Sequence, residues 1–171
     1  MISIRNETAT DIEARETLLD TAYGPSRFRK PSEKIRRGRQ AAEGLVAIDD
    51  HRIVGTVRLW HVSAGGRPAL LLGPLAVHPD HRRKGIGAAL IERAIAVARA
   101  RGHAAIVLVG DALYYGRFGF TADKTGALAM PGPFERHRLL GLELAPGALD
   151  GAAGVIAPAG RPIARPRRRA A

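Results

Sequence analysis

Apolar and polar residues alternate through ISIRNE near the start of the chain, and this period of two predicts a short half-buried strand. TDIEARETLLDTAYG shifts to helical spacing, with Thr10 or Asp11 placed to cap a helix carrying Ile12, Leu18 and Leu19. KPSEKIRRGRQ predicts a second, shorter and very basic helix entered at Pro31 and Ser32. LVAI, DDHR and IVGTVRLWHV read as two β-rich runs around a polar turn, a hairpin. After the turn SAGGRP, the run ALLLGPLAV is apolar on both faces, as a central strand is. Gly73-Pro74 interrupts it: proline has no N–H to give to a ladder, so a bulge or break in pairing is expected there.

The clearest helix lies in GIGAALIERAIAVARARG, where Ile86, Leu90, Ala94, Val97 and Ala98 recur at helical spacing. Arg99 and Arg101 sit near its carbonyl end and Gly102 stops it. AAIVLVG predicts a second buried strand, DALYYGRFGF a short helix ending at Gly119, and HRLLGLEL a late strand. The Ala/Gly/Pro-rich ending is read as a loosely attached strand or loop followed by disorder. The order of elements is a mixed α/β pattern around one sheet, and the length suits one domain. We expect that domain to span 1–150, with 151–171 as a partly flexible extension.

Composition narrows the chemistry. There is no cysteine, which removes disulfides, thiolate nucleophiles and cysteine-ligated metals together. His78-x-x-His81, with Asp80 nearby, is too thin a basis for a metal site, and no metal is assigned. The start lacks the apolar stretch of a signal peptide, and no run approaches the roughly 18 uninterrupted apolar residues of a membrane span. A cytoplasmic protein without a membrane partner is therefore expected, as a monomer or homodimer.

The formal net charge of +11 calls for an anionic partner. Five arginines fall in the final RPIARPRRRAA, so much of the excess belongs to a tail. That tail and KPSEKIRRGRQ could contact nucleic acid through phosphates, but aromatics are only 5% and are not interleaved with these charges. The other concentration of charge is HPDHRRKGIGAAL, where Arg82, Arg83 and Lys84 directly precede Gly85-Ile86-Gly87 and a long helix. A helix N-terminus carries unpaired N–H groups and partial positive charge, so three cations there oppose the dipole unless an anion joins them. No Walker loop is present, and a dinucleotide loop would need a third glycine where Leu90 stands.

Arg82-x-x-Gly85-x-Gly87, set between LGPLAVHPD and a long amphipathic helix and followed by AAIVLVGDALYYGRFGF, resembles the acyl-coenzyme A loop of the GNAT superfamily of N-acetyltransferases. The resemblance covers about residues 1 to 145 and is tight from Leu72 to Phe120. It extends to a bacterial branch of predicted acetyltransferases through GD-x-x-YY-x-RFGF, Pro131-Gly132-Pro133 and the later LELAPGAL. It implies a mixed, mostly antiparallel sheet flanked by helices, with two central strands splayed around the cofactor. It also implies acetyl transfer from acetyl-CoA to a primary amine, of a small molecule or of a protein or peptide, by direct attack in a ternary complex. The backbone of Arg83, Lys84, Gly85, Ile86, Gly87 and Ala88 would hold the pyrophosphate, with charge from Arg82 and Lys84. The backbone of Leu75, Ala76 and Val77 would pair with the pantetheine arm. Tyr115, in Tyr-x-Arg-x-Gly-Phe, would be the general acid for the leaving thiolate, with Tyr114 mainly structural. For a general base, His78, His61 and Glu143 are only weak candidates. The alternative is a nucleic-acid or ribosome-binding module on an inactive fold of the same kind.

Overall fold

The computed structural model describes residues 1–164 of the chain. The strands are β1 (Ile2–Asn6), β2 (Glu43–Asp49), β3 (Arg52–Ala64), β4 (Arg67–Val77), β5 (Ala105–Val109), β6 (Leu128–Ala129), β7 (Leu139–Glu143), β8 (Gly154–Val155) and β9 (Ala157–Pro158). The helices are α1 (Ile12–Tyr23), α2 (Pro31–Arg36), α3 (Ile86–Ala100) and α4 (Ala112–Gly116). The main sheet runs β1-β2-β3-β4-β5-β7, with β9 paired to β3 beyond the end of β2. Every pairing in it is antiparallel except β4 with β5. The fold is thus the expected α+β arrangement, a mostly antiparallel sheet flanked by helices.

The period of two in the central strands sorts their side chains onto two faces. Leu70, Leu72, Ile106 and Leu108 join Ile86, Leu90, Ile91 and Ala94 in the core under α3. Their neighbours Ala69, Leu71, Ala105 and Val107 face the opposite side, with Ile35 of α2, Met130, Leu149 and Ile156. In α3 the residues Ile86, Leu90, Ala94 and Ala98 are buried as the spacing predicts, together with Ile91, while Val97 of the same series is only half-buried.

The break expected near Pro74 is present. Val57 pairs with Leu75 and Leu59 with Leu72, so Gly73 and Pro74 together oppose Arg58 alone. One extra residue reverses which face each side chain takes. Before the bulge Leu70 and Leu72 point to α3; after it Leu75 and Val77 do, and Ala76 turns to Leu18 and Leu19 of α1. α1 and α3 therefore cover opposite faces of one strand.

Two readings are corrected. Ile12 does not carry α1 into the core but is exposed, because the buried face is formed by Leu18 and Leu19. Asp11 does not cap α1 through its side chain; its carboxylate reaches back to the N–H of Thr8 at 2.7 Å and to Arg5 at 2.7 and 2.9 Å. The Ala/Gly/Pro-rich segment is held more firmly than its composition implies. β8 pairs with β6, β9 pairs with β3, and Leu149, Ala152 and Ile156 are buried between them. The expected disorder of the arginine-rich end falls largely on 165–171, outside the described residues.

Candidate active site

β4 and β5 pair only at Leu70 with Ile106 and Leu71 with Val107. Beyond Leu71 the two strands part, and β4 continues to Val77 with β3 alone beside it. The N–H of His78 donates to Val54 O at 2.8 Å across that remaining ladder. In an antiparallel ladder the bonded residues alternate, so Ala76 also directs its backbone groups to β3, while Leu75 and Val77 direct theirs into the gap. Of the three residues expected to meet a pantetheine arm, Leu75 and Val77 turn their backbone groups to the gap and Ala76 turns its own to β3. In the absence of a neighbouring strand the Leu75 carbonyl accepts a hydrogen bond from the Tyr23 hydroxyl of α1. The carbonyl of Gly73, freed by the bulge, accepts from the indole Nε1 of Trp60 at 2.6 Å. Both orphaned acceptors are thereby satisfied, as buried backbone groups must be.

At one end of the gap lies the start of α3. The first α3 amide to find an intrahelical acceptor is that of Ala89, bonded to Gly85 O at 3.0 Å, which leaves Ile86, Gly87 and Ala88 with the unpaired N–H groups of a helix N-terminus. Gly85 is left-handed at φ 75° and Arg83 at φ 65°, a conformation uncommon for a side-chain-bearing residue. Alternation of this kind turns successive amides to one side and makes an anion-binding concavity. Gly85 serves the backbone conformation, since a Cβ there would meet nothing. Gly87 serves clearance: a Cβ there would lie 3.1 Å from the hydroxyl of Tyr114. Arg82, Arg83 and Lys84 are exposed, and none forms an ion pair among the described residues.

On the far wall stands Tyr115. Asp111 caps α4 by accepting from Tyr114 N at 3.0 Å, and Gly110 leaves the space that the Tyr115 ring occupies. Tyr115 packs edge-on against Tyr114 and Phe120. Burial pushes its phenol well above the ordinary tyrosine range, so it is protonated at neutral pH. Tyr114, read from sequence as mainly structural, packs on Phe118 but also carries its hydroxyl to the mouth of the loop.

The bulge opens on its other side into a cavity of about 570 Å³ between α1, α2 and the sheet, and Tyr115, Tyr23, Gly73, Pro74 and Leu75 reach it. None of the three weak base candidates lines it. His78 Nδ1 accepts from Asp80 N at 3.2 Å, and His61 is exposed with its ring tilted against that of His103. Glu143 is held by Lys124 at 2.7 Å and by Leu149 N at 2.9 Å, and these bonds lower its pKa. His81 pairs with Asp49 at 3.1 Å rather than with His78 in a ligand set, and among the described residues no three His, Cys, Asp or Glu side chains converge as a metal site would require. Among those residues, too, no helix is long and apolar enough to cross a membrane. Sequence reading missed Arg36 and Arg138, which line the cavity, and the supporting Trp60 and Tyr23.

Residues 40–122 match the family model of the acetyltransferase (GNAT) domain. The chain is 30% identical over 161 residues to YhbS of Escherichia coli strain K12, named an uncharacterized N-acetyltransferase, covering 90% of this chain and 93% of that protein. The crystal structure of E. coli YhbS in complex with CoA superposes with a TM-score of 0.79 at 28% identity, covering 91% of this chain and 88% of that one. A GNAT family acetyltransferase from Brucella melitensis, solved in complex with acetyl-CoA, gives a TM-score of 0.72 at 27% identity, covering 92% and 95%. With the parted strands, the open end of α3 and the tyrosine of α4 gathered beside one sheet, the chain belongs to the GNAT family of N-acetyltransferases.

Proposed function

We propose that this enzyme moves an acetyl group from acetyl-CoA to a primary amine by direct attack within a ternary complex. The observation that carries this reading is the parting of β4 from β5, which exposes Leu75 and Val77 beside the free amides of α3. The CoA and acetyl-CoA complexes of the two similar proteins support the same donor.

The thioester supplies an activated acyl carbon; the remaining work falls to this chain. The amides of Ile86, Gly87 and Ala88 and the concavity from Arg83 to Gly85 hold a pyrophosphate, with full charges from Arg82, Arg83 and Lys84. The hydroxyl of Tyr114 above Gly87 adds a donor at the same place. Leu75 and Val77 offer backbone groups to an amide-bearing arm laid along β4, as to an added strand. The amine enters from the cavity side and forms the new C–N bond as the C–S bond breaks. Tyr115, kept neutral by burial, gives its proton to the departing sulfur. Glu16 and Glu33, in the cavity wall, are already bonded to arginines, and Glu135, also in the wall, is exposed beside His137 Nε2 at 3.4 Å, so the amine's proton leaves through water. The chain has no cysteine, so no cysteinyl intermediate forms.

Titration with CoA tests the reading. At 100 times its dissociation constant, a specific ligand stabilises the folded state by about 2.7 kcal/mol, read as a rise of several degrees in Tm. No rise at millimolar CoA would refute the donor assignment.

A further inference from the structure

The cavity behind the bulge holds more positive charge than its own carboxylates neutralise, and the excess is local. Arg15 is bonded to Glu7 and Glu16, and Arg27 to Glu16 at 2.5 Å and Asp20 at 3.0 Å. Arg58 lies 3.2 Å from Glu7 and stacks over Trp60. These three share three carboxylates, Glu7, Glu16 and Asp20, although the buried Nε of Arg58 makes no hydrogen bond among the described residues. Arg36 stands apart from that group: its side chain is only 10% exposed, and its one carboxylate contact is Glu33 Oε2, at 3.3 Å. Arg138 and Lys30 line the same cavity, and neither has a carboxylate partner among the described residues. The Lys30 ammonium instead rests over the ring of Tyr23 at 4.4 Å.

The other two cations also repel Lys30. The pKa of Lys30 is lowered, first by burial and then by the charges of Arg36 and Arg138, and that of Arg36 is lowered by burial. A buried guanidinium with half a partner is expensive unless something completes it. Arg36 also stands in a telling place, because a Cβ built on Gly73 would lie 3.6 Å from its Nη1. It therefore points at the bulge, where the reacting carbonyl would sit. Phe28, Trp60, Met130 and Phe134 give the same cavity an apolar wall for a carbon skeleton.

We propose that this cavity is the acceptor site and takes a small primary amine that also carries an oxyanion, a carboxylate or a phosphate, held by Arg36, Arg138 and Lys30. The inference rests on the acetyltransferase reading above. The free edge of a guanidinium matches the two oxygens of either anion. Because Arg36 lies against the bulge itself, amine and oxyanion are separated by only a few bonds.

The test uses the full chain, saturating acetyl-CoA and a thiol-release assay on matched pairs: leucine against leucinamide, phenylalanine against phenylalaninamide, O-phosphoethanolamine against ethanolamine. The expected result is a kcat/KM at least about tenfold higher for the anionic member of at least one pair. The carboxylate and phosphate arms tell which anion is read. Arg36→Gln and, separately, Arg138→Gln should raise the KM of that member about tenfold or more and remove the preference. Arg36→Lys should retain part of it. Retained stabilisation by CoA shows that each variant is folded. Binding of N-acetyl-leucine against N-acetyl-leucinamide to the CoA-saturated protein, by calorimetry, gives a readout independent of turnover. Equal behaviour of both members of every pair, in turnover and in binding, overturns the inference. Loss of the wild-type CoA response instead overturns the reading beneath it.

Discussion

Tyr115 is defined by what surrounds its ring. Gly110 makes room for it, Phe120 and Tyr114 fix its plane, and burial keeps its proton in place across the physiological range. Tyr115→Phe keeps the ring and deletes the donor. We expect it to lower kcat by roughly 10²-fold, the lower end of general acid catalysis, and to leave the Kd for CoA unchanged. Turnover within twofold of wild type would remove the acid role. Tyr114 makes the instructive contrast. The same two-residue motif puts one phenol on the wall of the gap and the other above Gly87, a place for the Tyr114 hydroxyl that the motif alone does not give.

At the scale of elements, the site depends on how α1 is entered. Asp11 ties β1 to the turn before α1: it accepts from Arg5, from Thr8 N and from the Thr8 hydroxyl at 3.1 Å. These bonds, the Arg5 pair first, hold its carboxyl well below the usual carboxylate range. A carboxyl with a depressed folded-state pKa contributes stability that is complete above its unfolded value, near 3.9, and is lost as pH falls through the lower folded value. Asp11→Asn should therefore cost about 1 kcal/mol at pH 7, by urea denaturation, with the gap to wild type narrowing below about pH 4. A gap that stays constant down to pH 2 would show that the charge is not what matters.

The same scale explains what could be read beforehand. α3, its glycines and the break at Pro74 are written in local spacing, so they were legible. Arg36 and Arg138 were not. One lies on α2 and the other just before β7, and they reach a common cavity only because both segments pack beside the bulge of β4. Nor could Ala76 be told from its neighbours: a break was legible at Pro74, but the face Ala76 takes depends on how many residues the bulge adds opposite Arg58, which ALLLGPLAV does not state. Ile12 looked like core because it is apolar, but the helical face that meets β4 is set by Leu18 and Leu19.

For the whole molecule, the C-terminal segment to residue 163 is best treated as part of the cooperative unit. Ile156, at 1% exposure, sits in the core on the face opposite α3, and the carbonyl of Ala129 accepts from its N–H at 2.8 Å. Truncating such a side chain removes both transfer energy and packing. Ile156→Ala should lower the unfolding free energy by about 2 to 4 kcal/mol, measured by denaturant titration; a loss under about 0.5 kcal/mol would place the segment outside the unit.

The bulge at Gly73-Pro74 makes the enzyme unforgiving of length at one point and permissive of chemistry around it. Deleting one residue there would turn the bulge into regular pairing opposite Arg58, leaving Leu75 opposite Val57 but closing the opening through which the strand's edge meets the cavity. Exchanging side chains on α2 or before β7 leaves that register untouched. Substitutions on that face can therefore reshape the cavity while the backbone edge of β4 beside α3 stays as it is.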